Sequence, residues 1–277
     1  MRIMKIKGFI MMISMLSTGL TSIAQDKWTL KSEYLGCDVP ALVFKPRNYD
    51  SNQKYPLVYL LHGYSADYTQ WSKTIDCENL ATKYNTIIVC PEGFTFYYVD
   101  SQTSEKHQYE SFFFKELVPE VHKVLNVDGK NVFISGLSMG GYGALRYLIR
   151  HPDYFKSAGS TSGAIDVNFN LFSDVSRLFW QSNRMTDDLY LMLGDPKETD
   201  WSKYSIVRLL EDNPDFSRTF IFDCGTEDIL YESSSQLKEY VDKNKIPAVF
   251  ISQHGEHNTE YWEKSIEYHF IFFQQQY

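Results

Sequence analysis

The sequence predicts one α/β domain built on a mostly parallel, doubly wound sheet, and three observations carry that prediction. Short apolar runs such as Tyr55-Pro-Leu-Val-Tyr-Leu-Leu61 lack the alternation of a sheet with one wet face, so they read as strands buried on both sides. Segments with helical periodicity stand between these runs, and that alternation builds a parallel sheet through right-handed crossovers. The 277 residues, 43% hydrophobic and 22% charged, suit one large globular domain or two small ones and exclude a collagen-like or mostly disordered chain.

In chain order, the first segment is set apart from the fold. Met1–Lys7 carries Arg2, Lys5 and Lys7, an apolar stretch runs from Phe9 to about Leu20, and small residues follow at Ser22 and Ala24. This is the pattern of a secretory leader over residues 1–24, cleaved after Ala24. The apolar stretch is broken by Ser14, Ser17, Thr18 and Gly19 and is shorter than the ~20 residues of a membrane span. The expected product is therefore exported, periplasmic or secreted, with no membrane span. The whole chain has 27 basic and 35 acidic residues, a formal −8. Without Arg2, Lys5 and Lys7, residues 25–277 carry 24 basic and 35 acidic side chains, or −11. No basic run interrupts that excess, so the footprint of a nucleic-acid binder is missing.

Trp28–Leu35 and Ala41–Lys45, separated by Gly36-Cys37-Asp38, read as an antiparallel hairpin. After a polar loop at Asn48–Lys54, apolar strands are expected at Tyr55–Leu61, Thr86–Cys90, Val132–Ser135, Thr219–Phe222 and Ala248–Ile251. Helices are expected at about Tyr68–Tyr84, Tyr109–Leu125, Met139–Arg150, Ser233–Lys243 and Glu260–Phe272. Residues 166–214 break the alternation: aromatic side chains, Trp180 and Trp201 among them, stand in a polar setting with weak helical signals. An insertion of that length is usually functional or mobile, and it is expected to cap the C-terminal edge of the sheet. Cys37, Cys77, Cys90 and Cys224 are too sparse for a disulfide scaffold and read as free thiols.

The strongest chemical signal is Gly136-Leu-Ser138-Met-Gly140-Gly141. G-x-S-x-G between a strand and a helix forces the serine out at the tip of a tight turn, and the helix beginning at Met139 aims its N-terminal dipole there. A serine nucleophile needs a base, and the base needs an acid to orient it. Asp223, Glu227 and Asp228 follow the next strand and compete for the acid. His254 and His257 follow the last strand and compete for the base, while His269, within the last helix, reads as packing. His254-x-x-His257 has no evident third metal ligand, so no metal and no cofactor are expected. An oxyanion needs two fixed N–H donors. The Met139 amide supplies one, and Tyr64, beyond Leu60-Leu-His62-Gly63, the other.

These motifs, with Asp223-Cys-Gly225-Thr-Glu-Asp228 and Gly255-Glu-His257 followed by Trp262, resemble the esterase D-like branch of the α/β-hydrolases. That branch includes S-formylglutathione hydrolases, tributyrin esterases, feruloyl and acetyl-xylan esterases and mycolyltransferases. The resemblance runs from about residue 28 to the C-terminus and also takes in Pro91-Glu-Gly93. It implies the α/β-hydrolase fold with Ser138 as nucleophile, Asp228 as acid and His257 as base. It places the oxyanion hole at the Tyr64 and Met139 amides. By residue type and position, and not by the resemblance, since the cap is the family's most variable part, His62, Trp180, Trp201 and Trp262 are the candidates for substrate contact. One departure is visible: many relatives follow the histidine with Asp and Trp, where this chain has Asn258 and Thr259, which leaves the usual acyl-pocket wall unaccounted for.

The expected function is an exported serine carboxylesterase acting through an acyl-enzyme on acetyl or feruloyl esters of plant polysaccharide, or on short-chain acyl esters. The partner is a small or polysaccharide-linked ester, with no nucleic acid. Acyl transfer to a sugar alcohol, and a non-catalytic carbohydrate-binding role on the same fold, are the alternatives.

Overall fold

The apolar run opening at Tyr55 becomes a strand whose side chains divide between two cores, and the sheet grows around it. The computed structural model describes residues 25–277; the expected leader lies outside the described residues. The strands are β1 (Gln25–Lys31), β2 (Asp38–Phe44), β3 (Tyr55–Leu61), β4 (Ile87–Pro91), β5 (Val127–Leu137), β6 (Ser157–Thr161), β7 (Phe220–Gly225) and β8 (Ala248–Gln253). They form one sheet in the order β1-β2-β4-β3-β5-β6-β7-β8. β1 pairs antiparallel with β2, β2 antiparallel with β4, and every later pairing is parallel.

Leu57, Tyr59 and Leu61 of β3 enter one apolar layer, while Val58 and Leu60 enter the layer on the other face. Both faces being covered is why the strand reads as a continuous apolar run. Each fully buried aliphatic side chain here is worth roughly 1.5–3 kcal/mol over leaving it in water, so β3 anchors both layers.

The helices are α1 (Gln70–Thr74), α2 (Cys77–Lys83), α3 (Tyr109–Phe112), α4 (Val118–Val124), α5 (Met139–Arg150), α6 (Phe169–Trp180), α7 (Arg184–Leu193), α8 (Ile206–Glu211), α9 (Tyr231–Asn244) and α10 (Thr259–Gln274). Among the described residues no helix is long and apolar enough to cross a membrane.

Three expectations need correction. The helix expected over Tyr68–Tyr84 is two helices: Ile75 is extended, at φ −137° and ψ 162°, and Asp76 restarts the chain by accepting from the Asn79 amide. The helix expected over Tyr109–Leu125 passes through a π-helical turn at Phe113–Leu117 before α4. The third is β6, a fully buried strand at the middle of the sheet that the apolar-run criterion misses. Its residues, Ser157-Ala-Gly-Ser-Thr161, are small and polar because there is no room above them. A Cβ on Gly159 would stand 2.3 Å from Nδ1 of His269 in α10.

Candidate active site

Gly136-Leu-Ser138-Met-Gly140 makes the turn from β5 into α5. Ser138 takes φ 54° and ψ −117°, a conformation that strains an L-residue. The flanking glycines are steric requirements: a Cβ on Gly136 would lie 2.4 Å from the Gly140 backbone, and one on Gly140 would lie 2.3 Å from the Leu61 carbonyl oxygen. The turn is held from both sides. The Ser138 amide donates to the Thr161 carbonyl at 3.0 Å, and its carbonyl accepts from Tyr142 and Ala164 at 3.1 and 3.0 Å.

The acid loop leaves β7 at Gly225, whose carbonyl accepts from the Asp228 amide at 3.1 Å. Asp228 Oδ1 accepts from the Leu230 amide at 2.8 Å. The third element comes from the β8–α10 loop. Asn258 caps α10 by accepting from the Tyr261 amide at 3.0 Å and so fixes the residue before it, His257. His257 Nδ1 lies 2.9 Å from Asp228 Oδ2, and His257 Nε2 lies 3.0 Å from Ser138 Oγ. With Nδ1 protonated, the ring donates to the carboxylate and Nε2 is left to accept from the serine hydroxyl. Burial alone would raise the Asp228 carboxyl. The hydrogen bond and charge of His257, aided by the Leu230 amide, outweigh it and hold the group below the ordinary aspartate range.

The competing residues are elsewhere. His254 is 84% exposed in its side chain and faces Glu227 at 3.1 Å. Asp223 and His269 are sealed under the sheet edge and bonded to each other, with His269 Nε2 2.6 Å from Asp223 Oδ2. His269 Nδ1 is 2.7 Å from Ser135 Oγ, and Thr161 Oγ1 donates to Asp223 at 2.6 Å and meets Ser265 Oγ at 2.6 Å. His269 is therefore more than packing: it closes a buried polar network.

Tyr64 lines the same cavity as Ser138, and Met139 follows Ser138 in the chain. The Gly63 amide donates to Gln70 Oε1 at 2.8 Å, which pins the loop, and a Cβ on Gly63 would lie 3.4 Å from that of Ser138. Neither the Tyr64 nor the Met139 N–H has an acceptor among the described residues. Both remain free to serve an oxyanion.

A cavity of about 270 Å³ opens over Ser138, lined by Tyr64, Val175, Phe179, Trp180, Met185 and Trp262 among others. Trp262 stands edge-on to His257 at 5.1 Å and Phe179 lies 5.6 Å from it. Asn258 and Thr259 line the same cavity, so Trp262 and Phe179 supply an aromatic wall where the resemblance left one unaccounted for. Two expected substrate contacts are not in the cavity. His62 is 1% exposed, with Nδ1 2.8 Å from the Gly63 carbonyl and Nε2 accepting from the Gly93 amide at 2.7 Å. Its ring braces the backbone at Gly63 and Gly93. Trp201 is buried, donates through Nε1 to the Gly194 carbonyl at 3.0 Å and packs on Phe169. Phe179 belongs to the aromatic segment expected to cap this edge, whereas Gln70 and Met185 carry no sequence signal of a site role, since only the folded chain brings their elements to Ser138.

Residues 32–273 match the family model described as "Putative esterase". An acetyl esterase of Caldicellulosiruptor saccharolyticus is 26% identical over 216 residues, covering 76% of this chain and 79% of the relative. Among solved structures, the fluorophosphonate-binding serine hydrolase F of Staphylococcus aureus superposes with a TM-score of 0.79 at 20% identity, covering 91% of this chain and 98% of the other. A ferulic acid esterase gives a TM-score of 0.77 at 23% identity, with the same coverage. The fold is that of the α/β-hydrolases, and the chain belongs to the esterase family that this model defines, as a serine esterase.

Proposed function

We propose that this chain is an exported carboxylesterase in which Ser138, His257 and Asp228 act as nucleophile, base and orienting acid, and that its substrates are acetyl or feruloyl esters on plant polysaccharide. The observation that carries the catalytic part is the unbroken hydrogen-bonded line from Asp228 through His257 to Ser138 at a cavity floor. Ser138 Oγ attacks the ester carbonyl as His257 Nε2 takes its proton. Asp228 holds the imidazole in the productive tautomer and stabilises the imidazolium. The negative carbonyl oxygen of the tetrahedral intermediate meets the Tyr64 and Met139 amides. His257 returns the proton to the departing alcohol, leaving an acyl-Ser138, and a water activated by the same imidazole releases the acid.

The substrate class is supported by the aromatic wall of Phe179, Trp180 and Trp262, which offers stacking faces to a cinnamoyl ring or a sugar. The acetyl and ferulic acid esterases among its relatives support it too. Export is supported by the leader-like pattern of residues 1–24. Side-by-side hydrolysis of methyl ferulate, acetylated xylan and tributyrin tests the assignment. Preferential cleavage of either cell-wall ester is expected, and activity confined to tributyrin would refute the polysaccharide reading.

A further inference from the structure

The Tyr64 side chain ties the oxyanion loop to the helices over the site. Tyr64 is 7% exposed, and its hydroxyl donates to Asp188 Oδ2 of α7 at 2.5 Å, across 124 positions of sequence. Its ring meets Trp180, the last residue of α6, edge-on at 5.1 Å. The Arg184 guanidinium, at the start of α7, stands 5.4 Å from the Tyr64 ring centroid and 5.6 Å from that of Trp180, within the range of a cation–π contact. On its other side the ring leans on Tyr97 at 5.8 Å, and Tyr97 in turn packs on Phe172 of α6. Every one of these contacts is made by the side chain, which leaves the Tyr64 amide without an acceptor among the described residues; the preceding Gly63 comes close enough to Ser138 that a Cβ there would lie 3.4 Å from the serine's.

We infer that Asp188 and the Tyr64 hydroxyl are positioning residues: the clasp between them lets the 166–214 segment hold the Tyr64 amide where the oxyanion forms. This rests on the esterase reading above. The same helices present Phe179, Trp180 and Met185 to the cavity, so the elements that receive the substrate also set the second oxyanion donor. An amide that drifts by a fraction of an ångström loses transition-state stabilisation while ground-state binding is nearly unchanged. The clasp therefore acts on kcat rather than KM.

The test compares Tyr64→Phe, Asp188→Ala, the double variant and Asp188→Asn, all of which keep the residue 64 backbone amide. The readouts are steady-state kinetics on p-nitrophenyl acetate, the rate of fluorophosphonate labelling and the melting temperature. Tyr64→Phe and Asp188→Ala are each expected to lower kcat and the labelling rate about tenfold, a fraction of the loss of a whole oxyanion donor, with KM changing less than about twofold. The double variant should fall no further than the worse single, because both remove one contact. Asp188→Asn, whose amide oxygen still accepts from the tyrosine hydroxyl, should restore most of the rate. The clasp is overturned if kcat is unchanged while only the melting temperature drops, or if the two losses multiply. A wild-type protein that neither labels nor hydrolyses overturns the esterase reading instead, and the clasp with it.

Discussion

Two serine–histidine–aspartate arrangements lie side by side at the C-terminal end of this sheet, and the bond lengths alone do not say which one does chemistry. In the first, Ser138 and Asp228 stand 3.0 and 2.9 Å from opposite nitrogens of His257. In the second, Ser135 and Asp223 stand 2.7 and 2.6 Å from opposite nitrogens of His269. The second is the tighter set, yet Ser135 and His269 are fully buried and Asp223 is 1% exposed. Ser138 sits on a strained turn at the floor of a cavity, with two unengaged amides beside it. Access and unengaged amides beside the serine are what support the proposed reactive role for the Ser138 set over the sealed one. The two are also connected, since Thr161 bonds Asp223 through its hydroxyl and accepts the Ser138 amide through its carbonyl. The sealed set is part of the floor on which the open set stands.

Substitutions break the comparison in opposite ways. Ser138→Ala is expected to lower ester turnover by at least about 10⁴-fold while leaving the melting temperature close to wild type, because it removes one hydroxyl at a solvent-facing cavity. Asp228→Asn is expected to cost on the order of 10³–10⁴-fold in kcat, since an amide favours the wrong imidazole tautomer. His269→Leu should do the reverse. It leaves Asp223 buried without its main partner and is expected to cost about 3–5 kcal/mol of stability, read by urea unfolding. The folded fraction should still label with a fluorophosphonate at 15 °C. A His269→Leu protein of normal stability that fails to label would reverse the roles assigned here.

A third buried set gives a pH test. Glu110 accepts from Arg146 at 3.1 Å and Arg150 at 2.7 Å and lies 2.8 Å from His151 Nε2. Burial opposes its ionised form, but the His151 hydrogen bond and the two arginines prevail, and its pKa falls from 4.5 to about 2. A carboxyl lowered on folding stabilises the fold above its unfolded pKa, and that contribution is lost as pH falls through the folded value. Glu110→Gln should therefore cost about 3 kcal/mol at pH 7, and the gap from wild type should shrink as pH drops from 4.5 towards 2. A gap that stays constant over that window would show that packing, not charge, is what the substitution removes. The smallest effect is expected at the cavity rim: Phe179, 43% exposed, should on replacement by alanine raise KM for methyl ferulate a few-fold with kcat nearly unchanged.

Of the open set, Ser138 was legible from local signatures, because glycines must flank it for steric reasons. Strand ends narrowed the acid to Asp223, Glu227 or Asp228 and the base to His254 or His257, and the family resemblance, not the spacing, chose Asp228 and His257. The sealed set was not legible. His269 lies on the buried side of α10 and reads as packing there, and β6, which carries Thr161, lacks the large apolar residues by which a strand is noticed. Its small side chains answer to α10 lying against it, a contact set by tertiary structure. His62 and Trp201 looked like contact residues because of their type. Only the fold shows that His62 braces the backbone at Gly63 and Gly93 and that Trp201 packs away from the cavity.

Ser138 is the proposed nucleophile and Ser135 is not. Reacting the intact protein with a fluorophosphonate and mapping the adduct by peptide mass spectrometry tests that assignment directly. A single adduct on Ser138 is expected, abolished in Ser138→Ala. An adduct on Ser135 or on any other serine, or labelling that survives Ser138→Ala, would contradict it.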